Sequence, residues 1–167
     1  MGLFKKLAKK KEATGDIDPM IYSPLTGATA LLSEVNDPVF AQEMMGKGAA
    51  VIPTVGEVVA PCDGEVVSVF RTLHAITFKA NNGAEIIIHV GLETVALDGD
   101  YYQAHVSDGQ QVKKGDRLLS FDIEKIKSEG YDVITPVVIT NSAAYQRVEK
   151  TEKDQVQAGE PFINLSK

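Results

Sequence analysis

From Ile17 to the C-terminus the chain rarely sustains a helical period. Its apolar residues come in short runs, many of them β-branched, cut every few residues by turn formers. No other feature constrains the fold as strongly, because short β-branched runs between Gly, Pro, Asn and Asp read as strands. The pattern predicts strands over 49–53, 58–60, 64–71, 75–80, 84–90, 101–106, 117–122, 137–140 and 146–149. The punctuation is Pro24, Gly27, Asp63-Gly64, Asn82-Gly83, Asp108-Gly109, Lys114-Gly115-Asp116 and Gly159-Glu160-Pro161. Helical turns are predicted only over 39–45 and 123–129. The implied class is all-β: an antiparallel β-sandwich or barrel-like single domain with one or two short helical turns. Ser23-Pro24-Leu25-Thr26-Gly27 echoes Ala60-Pro61-Cys62-Asp63-Gly64, which reads as a duplicated turn within one sandwich.

With 167 residues the chain can bury a core without cross-links. No apolar run approaches the roughly 20 residues needed to cross a bilayer. The single cysteine, Cys62, excludes an internal disulfide framework and a multi-cysteine zinc site. The net charge of -6 is uneven: Lys5, Lys6, Lys9, Lys10 and Lys11 stand at the start with no acid among them. That leaves 12 of the 17 basic residues against all 23 acidic ones. Such an acidic body argues against nucleic-acid binding and suits a basic protein partner. Residues 1–16 read as a basic tail, with Leu3, Phe4 and Leu7 at helical spacing. Two readings compete for it: an amphipathic helix making weak contact with anionic lipid through residues 1–11, and a solvated end. It is too short in apolar residues for a signal peptide, and Lys6 breaks the myristoylation pattern. The folded body is taken as residues 17–167.

The most informative stretch runs from Thr72 to Gly91. Asn82-Gly83 signals a hairpin with a two-residue type I′ loop. Asn81 then pairs with Ala84, and His89 lies opposite Ile76, diagonal to His74. Alternation places His74, Ile76 and Phe78 on one face with His89 and Ile87. Diagonal neighbours are roughly 7–8 Å apart, a gap two imidazoles can close. A register shifted by an odd number would separate them. Two adjacent imidazoles suit zinc, general acid–base hydrolysis, or a nucleophile that takes a phosphoryl group while its neighbour hydrogen-bonds the oxygens. No convincing third metal ligand stands out. The chain has no Walker loop and no dinucleotide fingerprint, so a phosphoryl group would have to arrive on another molecule.

Several segments resemble the IIA component of the bacterial glucose-family phosphotransferase system. They are Ser23-Pro24-Leu25-Thr26-Gly27, Asp37-Pro38-Val39-Phe40, Ala60-Pro61-Cys62-Asp63-Gly64, Thr72-Leu73-His74-Ala75, His89-Val90-Gly91-Leu92-Glu93-Thr94-Val95 and Thr135-Pro136-Val137-Val138. The resemblance covers residue 17 to the end, which makes residues 17–167 the phosphocarrier domain. It implies that His89 is the phosphorylated nucleophile through Nε2, that His74 hydrogen-bonds the phosphoryl group, and that Thr72 orients an imidazole. It implies an apolar docking rim of Val39, Phe40, Met44, Met45, Phe70, Phe78 and Val95, bordered by Asp37 and Glu93. Glu93 stands where many relatives have Asp. Cys62 is expected to be a small packed residue and His105 a structural or surface one.

The implied partners are the small histidine-containing phosphocarrier protein as donor and a cysteine of the IIB component as acceptor. The group then moves to a glucose-type sugar entering through the membrane component. Regulatory protein targets are implied as well. No cofactor is expected, although adventitious zinc could bridge His74 and His89 with a ligand from a partner. The expected location is the cytoplasm, with peripheral contact at the inner face of the membrane. The chain opens on Met and ends soon after the domain, so a free-standing protein is expected. Two rivals share related β scaffolds. A biotinyl or lipoyl carrier would explain Val106 to Leu118, but the Met-Lys-Met acceptor turn is missing. A zinc hydrolase would need an H-x-H pair that is absent.

Overall fold

The computed structural model describes residues 18–167. The tail and its proposed lipid contact lie outside the described residues. The all-β expectation holds. The strands are β1 (Met20–Tyr22), β2 (Gly27–Leu31), β3 (Lys47–Pro53), β4 (Glu57–Val59), β5 (Gly64–Val69), β6 (Ala75–Ala80), β7 (Glu85–His89), β8 (Tyr102–Ala104), β9 (Gln111–Val112), β10 (Arg117–Phe121), β11 (Thr135–Ile139), β12 (Arg147–Lys150), β13 (Gln155–Val156) and β14 (Pro161–Ser166). Their pairings are antiparallel. One large sheet has the order β13-β2-β3-β11-β7-β6-β5-β9, and two three-stranded sheets have the orders β1-β14-β12 and β4-β10-β8.

Among the described residues the two short α-helices are α1 (Pro38–Ala41) and α2 (Ile123–Ser128), near the two predicted helical turns. In each an aspartate caps the start. The Asp37 carboxylate accepts from the Val39 amide at 3.0 Å, with Pro38 at the first helical position, and Asp122 accepts from the Lys125 amide at 3.0 Å. The two echoing turns meet each other: Tyr22 N donates to the Pro61 carbonyl at 3.0 Å and Val59 N to the Pro24 carbonyl at 2.8 Å.

The centre of the large sheet is buried on both faces, which is why Ile86-Ile87-Ile88 reads as a continuous apolar run rather than an alternating one. Ile86 and Ile88, with Ile76, Phe78, Val137 and Ile139, face the main core. Ile87 and Val138 face the other way, into a smaller cluster with Ala30, Leu32, Val35, Phe40, Ala50, Leu92 and Ile134. This second cluster is the floor on which the histidines rest.

The β6–β7 register differs from the expected one. Ala80 N donates to the Ala84 carbonyl and Gly83 N to the Ala80 carbonyl, each at 2.9 Å. Gly83 carries φ 99. The connection is therefore a three-residue loop closed by a left-handed glycine, not a two-residue type I′ loop. His89 pairs with Ala75, Ile88 with Ile76 and Ile86 with Phe78. This is a shift of one residue, and it puts Ile76 and Phe78 on the face opposite His89 and Ile87. The prediction that such a shift would part His74 from His89 fails, because His74 stands outside β6 and does not follow its pleat.

Candidate functional site

His89 is the last residue of β7, and the chain must turn immediately after it. Gly91, at φ 87, makes that turn. A Cβ there would sit 2.6 Å from Thr94 Cγ2 and 3.0 Å from the Asp132 carbonyl oxygen, so glycine is required by space as well as by conformation. The turn is pinned at the Val90 carbonyl, which accepts from Thr94 Oγ1 at 2.7 Å and from the Tyr102 hydroxyl at 2.8 Å. It returns the Gly91 carbonyl oxygen to 2.8 Å from His89 Nδ1. A carbonyl oxygen only accepts, so Nδ1 carries the proton and Nε2 keeps its lone pair. The nucleophilic tautomer is thus set by the backbone.

His74 is the last residue of the five-residue loop between β5 and β6. Leu73 N donates to the Phe70 carbonyl at 2.7 Å, and Leu73 itself has φ 62. The ring lies edge-on to Phe70 with centroids 5.5 Å apart and edge-on to His89 at 4.8 Å. His74 Nδ1 is 2.7 Å from Thr72 Oγ1. If the hydroxyl donates, Nε2 of His74 bears the proton and can donate in turn to an oxyanion. Phe40 packs against His89 with centroids 5.1 Å apart.

His74 is 3% exposed, whereas His89 is half-buried. Burial pushes the His74 pKa down to about 4, helped by the charge His89 would bear, while the backbone of Thr72 pulls the other way. His89 is lowered too, first by burial; its bond to Gly91 and the charge of Asp37 offset part of that. Both rings are therefore neutral near pH 7. Two uncharged imidazoles, one with a free lone pair, can attack an electrophile and steady the group that results. Among the described residues no set of three or more His, Cys, Asp or Glu gathers around a point suited to a metal.

A family model described as the phosphoenolpyruvate-dependent sugar phosphotransferase system, EIIA 1, matches residues 19–145. The chain belongs to that family. It is 52% identical over 149 residues to a glucose-specific EIIA component of Bacillus cereus, an alignment covering 89% of each chain. It is 48% identical over 147 residues to a β-glucoside-specific EIIBCA component of Bacillus subtilis, covering 88% of this chain and 24% of that larger protein. Its fold is similar to that of glucose permease IIA from Mycoplasma capricolum, with a TM-score of 0.80 and 31% identity over 86% of this chain and 93% of the other.

Within this EIIA chain the other residues singled out from the sequence differ in exposure and surroundings. Met44 is 68% exposed, Val95 54%, and Val39 is exposed on α1. Met45 and Phe70 are half-buried against the second cluster, and Phe40 is buried beneath His89. Phe78 does not belong to the rim: at 1% exposed it is in the main core, the direct result of the shifted register. Asp37 caps α1 close enough for its charge to act on His89, and Glu93 is exposed with φ 58. Elsewhere, burial pushes the Cys62 thiol up to about 12, so it is no thiolate. His105 Nε2 lies 2.6 Å from Ser120 Oγ, and Arg117 reaches both residues at 3.2 Å. One contributor escaped the sequence reading: the Gly91 carbonyl, whose signal was a glycine two residues after His89.

Proposed function

We propose that this chain is a glucose-type phosphocarrier that accepts a phosphoryl group on His89 from the phosphohistidine of a small carrier protein and passes it to a cysteine of a IIB component. The single observation that supports this most is the Gly91 carbonyl on His89 Nδ1, which leaves Nε2 unprotonated beside a second neutral ring. Nε2 attacks phosphorus in line. The Nε2–P bond forms as the donor's N–P bond breaks, and that electron pair returns to the donor nitrogen. His74, its own Nδ1 satisfied by Thr72, donates from Nε2 to a phosphoryl oxygen and favours onward transfer. In the second step the thiolate of the IIB cysteine attacks the same phosphorus, and the leaving pair returns to His89 Nε2.

No resident cofactor enters this scheme. Zinc held between His74 and His89 would need further ligands from a partner, and metal analysis of the purified chain alone and with its IIB domain would reveal it. Val39, Met44 and Val95 form the apolar contact that keeps water off the phosphoimidazole, and Asp37 and Glu93 meet basic residues on the donor. The same surface would receive regulatory targets. The setting is the cytoplasm, where donor and acceptor meet. Among the described residues no helix is long and apolar enough to cross a membrane.

The test is incubation of the chain with the upstream proteins and labelled phosphoenolpyruvate. Wild type takes label on His89; His89→Gln takes none. His74→Gln takes label and passes little to a IIB domain. Equal labelling of wild type and His89→Gln overturns the proposal. A panel of IIB domains then identifies the sugar class.

A further inference from the structure

His74 reaches His89 against the register of its own hairpin, and the chain must contain something that makes this happen. In the observed pairing Ala75 is opposite His89. The ladder even continues one step further, because Val90 N donates to the His74 carbonyl at 2.7 Å. Strict alternation from Ile76 and Phe78 would send the His74 ring into the main core with them. Instead it lies on Phe70 and His89, above the second cluster. The residue before it, Leu73, is the left-handed one, at φ 62.

We propose that Leu73 is a positioning residue, whose left-handed backbone turns His74 out of the pleat and onto the face of His89. The idea rests on the relay reading for its consequence, though not for its geometry. A leucine is uncommon in this region of conformational space, since its Cβ crowds the carbonyl oxygen. Such a conformation persists where surroundings over-determine it. They do so here. Leu73 N is tied to Phe70 O, and the Leu73 side chain packs on the edge of the main core. The chain at Gly99 runs close by: a Cβ at Gly99 would sit 3.8 Å from Leu73 Cδ1 and 4.0 Å from the Thr72 carbonyl oxygen. Gly99 is itself left-handed, at φ 92, with Asp98 at φ 52 and Tyr101 at φ 74 nearby. Two irregular loops thus lie beside one another, and His74 follows directly on the first. The same turn brings Thr72 Oγ1 within 2.7 Å of His74 Nδ1.

The experiment compares Leu73→Ile and Leu73→Asn in the full chain. Isoleucine keeps the apolar bulk but strongly resists a positive φ; asparagine accepts that backbone and lacks the bulk. Two readouts are taken: the titration of each imidazole by NMR, and transfer of label from phosphorylated chain to a IIB domain. For Leu73→Asn the His74 titration stays depressed and transfer stays near wild type. For Leu73→Ile the His74 midpoint rises by about one unit or more toward the free value. Transfer then falls roughly ten- to a hundredfold, while initial labelling of His89 changes far less. A Leu73→Ile protein that titrates and transfers like wild type overturns the proposal. So does equal damage in both variants, which would assign the effect to packing. Should Leu73→Ile not fold, a raised His74 titration in Leu73→Asn alone overturns it. The titration needs no partner. If His74 moves as expected but wild type itself never transfers label, the relay is wrong and the positioning role stands.

Discussion

The two faces of the large sheet are built from the same strands and treated differently. One face is closed by the main core, where Ile76, Phe78, Ile86 and Ile88 lose almost all contact with water. The other carries a small cluster roofed by Phe40, Met45 and Phe70, and beyond these Val39, Met44 and Val95 remain exposed. Adjacent residues of β7 alternate between the two. Burial is more extensive on the first face, and the second keeps apolar side chains in contact with water. The lesson is that a residue's distance from the histidines along the strand says less about its role than its parity does.

The sharpest way to break this contrast is Phe78→Ala. If Phe78 is core and not rim, unfolding in urea shows a loss of about 3–5 kcal/mol, and labelling of the protein that remains folded is near normal. A stable Phe78→Ala protein that fails to dock would reverse the assignment. Gly91→Ala comes next. A methyl group in a left-handed turn against Thr94 and the Asp132 carbonyl costs about 1–3 kcal/mol, and it displaces the carbonyl that fixes His89. Both a lower urea midpoint and slower labelling are expected from this one substitution.

A smaller effect comes from pH. Folded His74 resists protonation until about pH 4, while the unfolded chain takes that proton near the ordinary value of about 6.5. Its neutral form therefore contributes fully above pH 6.5, and that contribution is lost as pH falls toward 4. His89 acts in the same direction. Urea midpoints measured at pH 7 and pH 5 should fall, and His74→Gln should flatten the slope. The smallest change in stability is expected for Met44→Ala, within about 0.5 kcal/mol. The same variant should nonetheless weaken docking of the donor, as titration of labelling rate against donor concentration would reveal.

Much of this was legible in the sequence, and the gaps have physical causes. The two histidines meet, though not by the register that led to that expectation. The hairpin followed from turn chemistry and the family from the segments that resemble it. The register did not, because Asn-Gly fits two loops. Asn tolerates both right- and left-handed backbone, so Asn82 can open a type I′ turn or, as here, precede a lone left-handed Gly83. The one-residue difference moved Phe78 to the opposite face. β2 went unpredicted because Gly27-Ala28-Thr29-Ala30-Leu31 offers little side chain to read, and β9 and β13 are only two residues long. β14 was readable: Phe162, Ile163 and Leu165 are all buried, and the Gly159-Glu160-Pro161 turn drew attention away from them. Leu73 could not have been foreseen, since nothing in a leucine announces a positive φ.

The bond from His89 Nδ1 to the Gly91 carbonyl has a consequence for the energy of the loaded state. In the proposed relay that proton never leaves, so phosphorus joins a ring that becomes an imidazolium. When the N–P pair returns to the ring it leaves as neutral imidazole, which makes that bond easy to break toward the next thiolate. Neither direction then requires a proton in flight, and phosphoryl exchange should run at nearly the same speed in heavy water as in light.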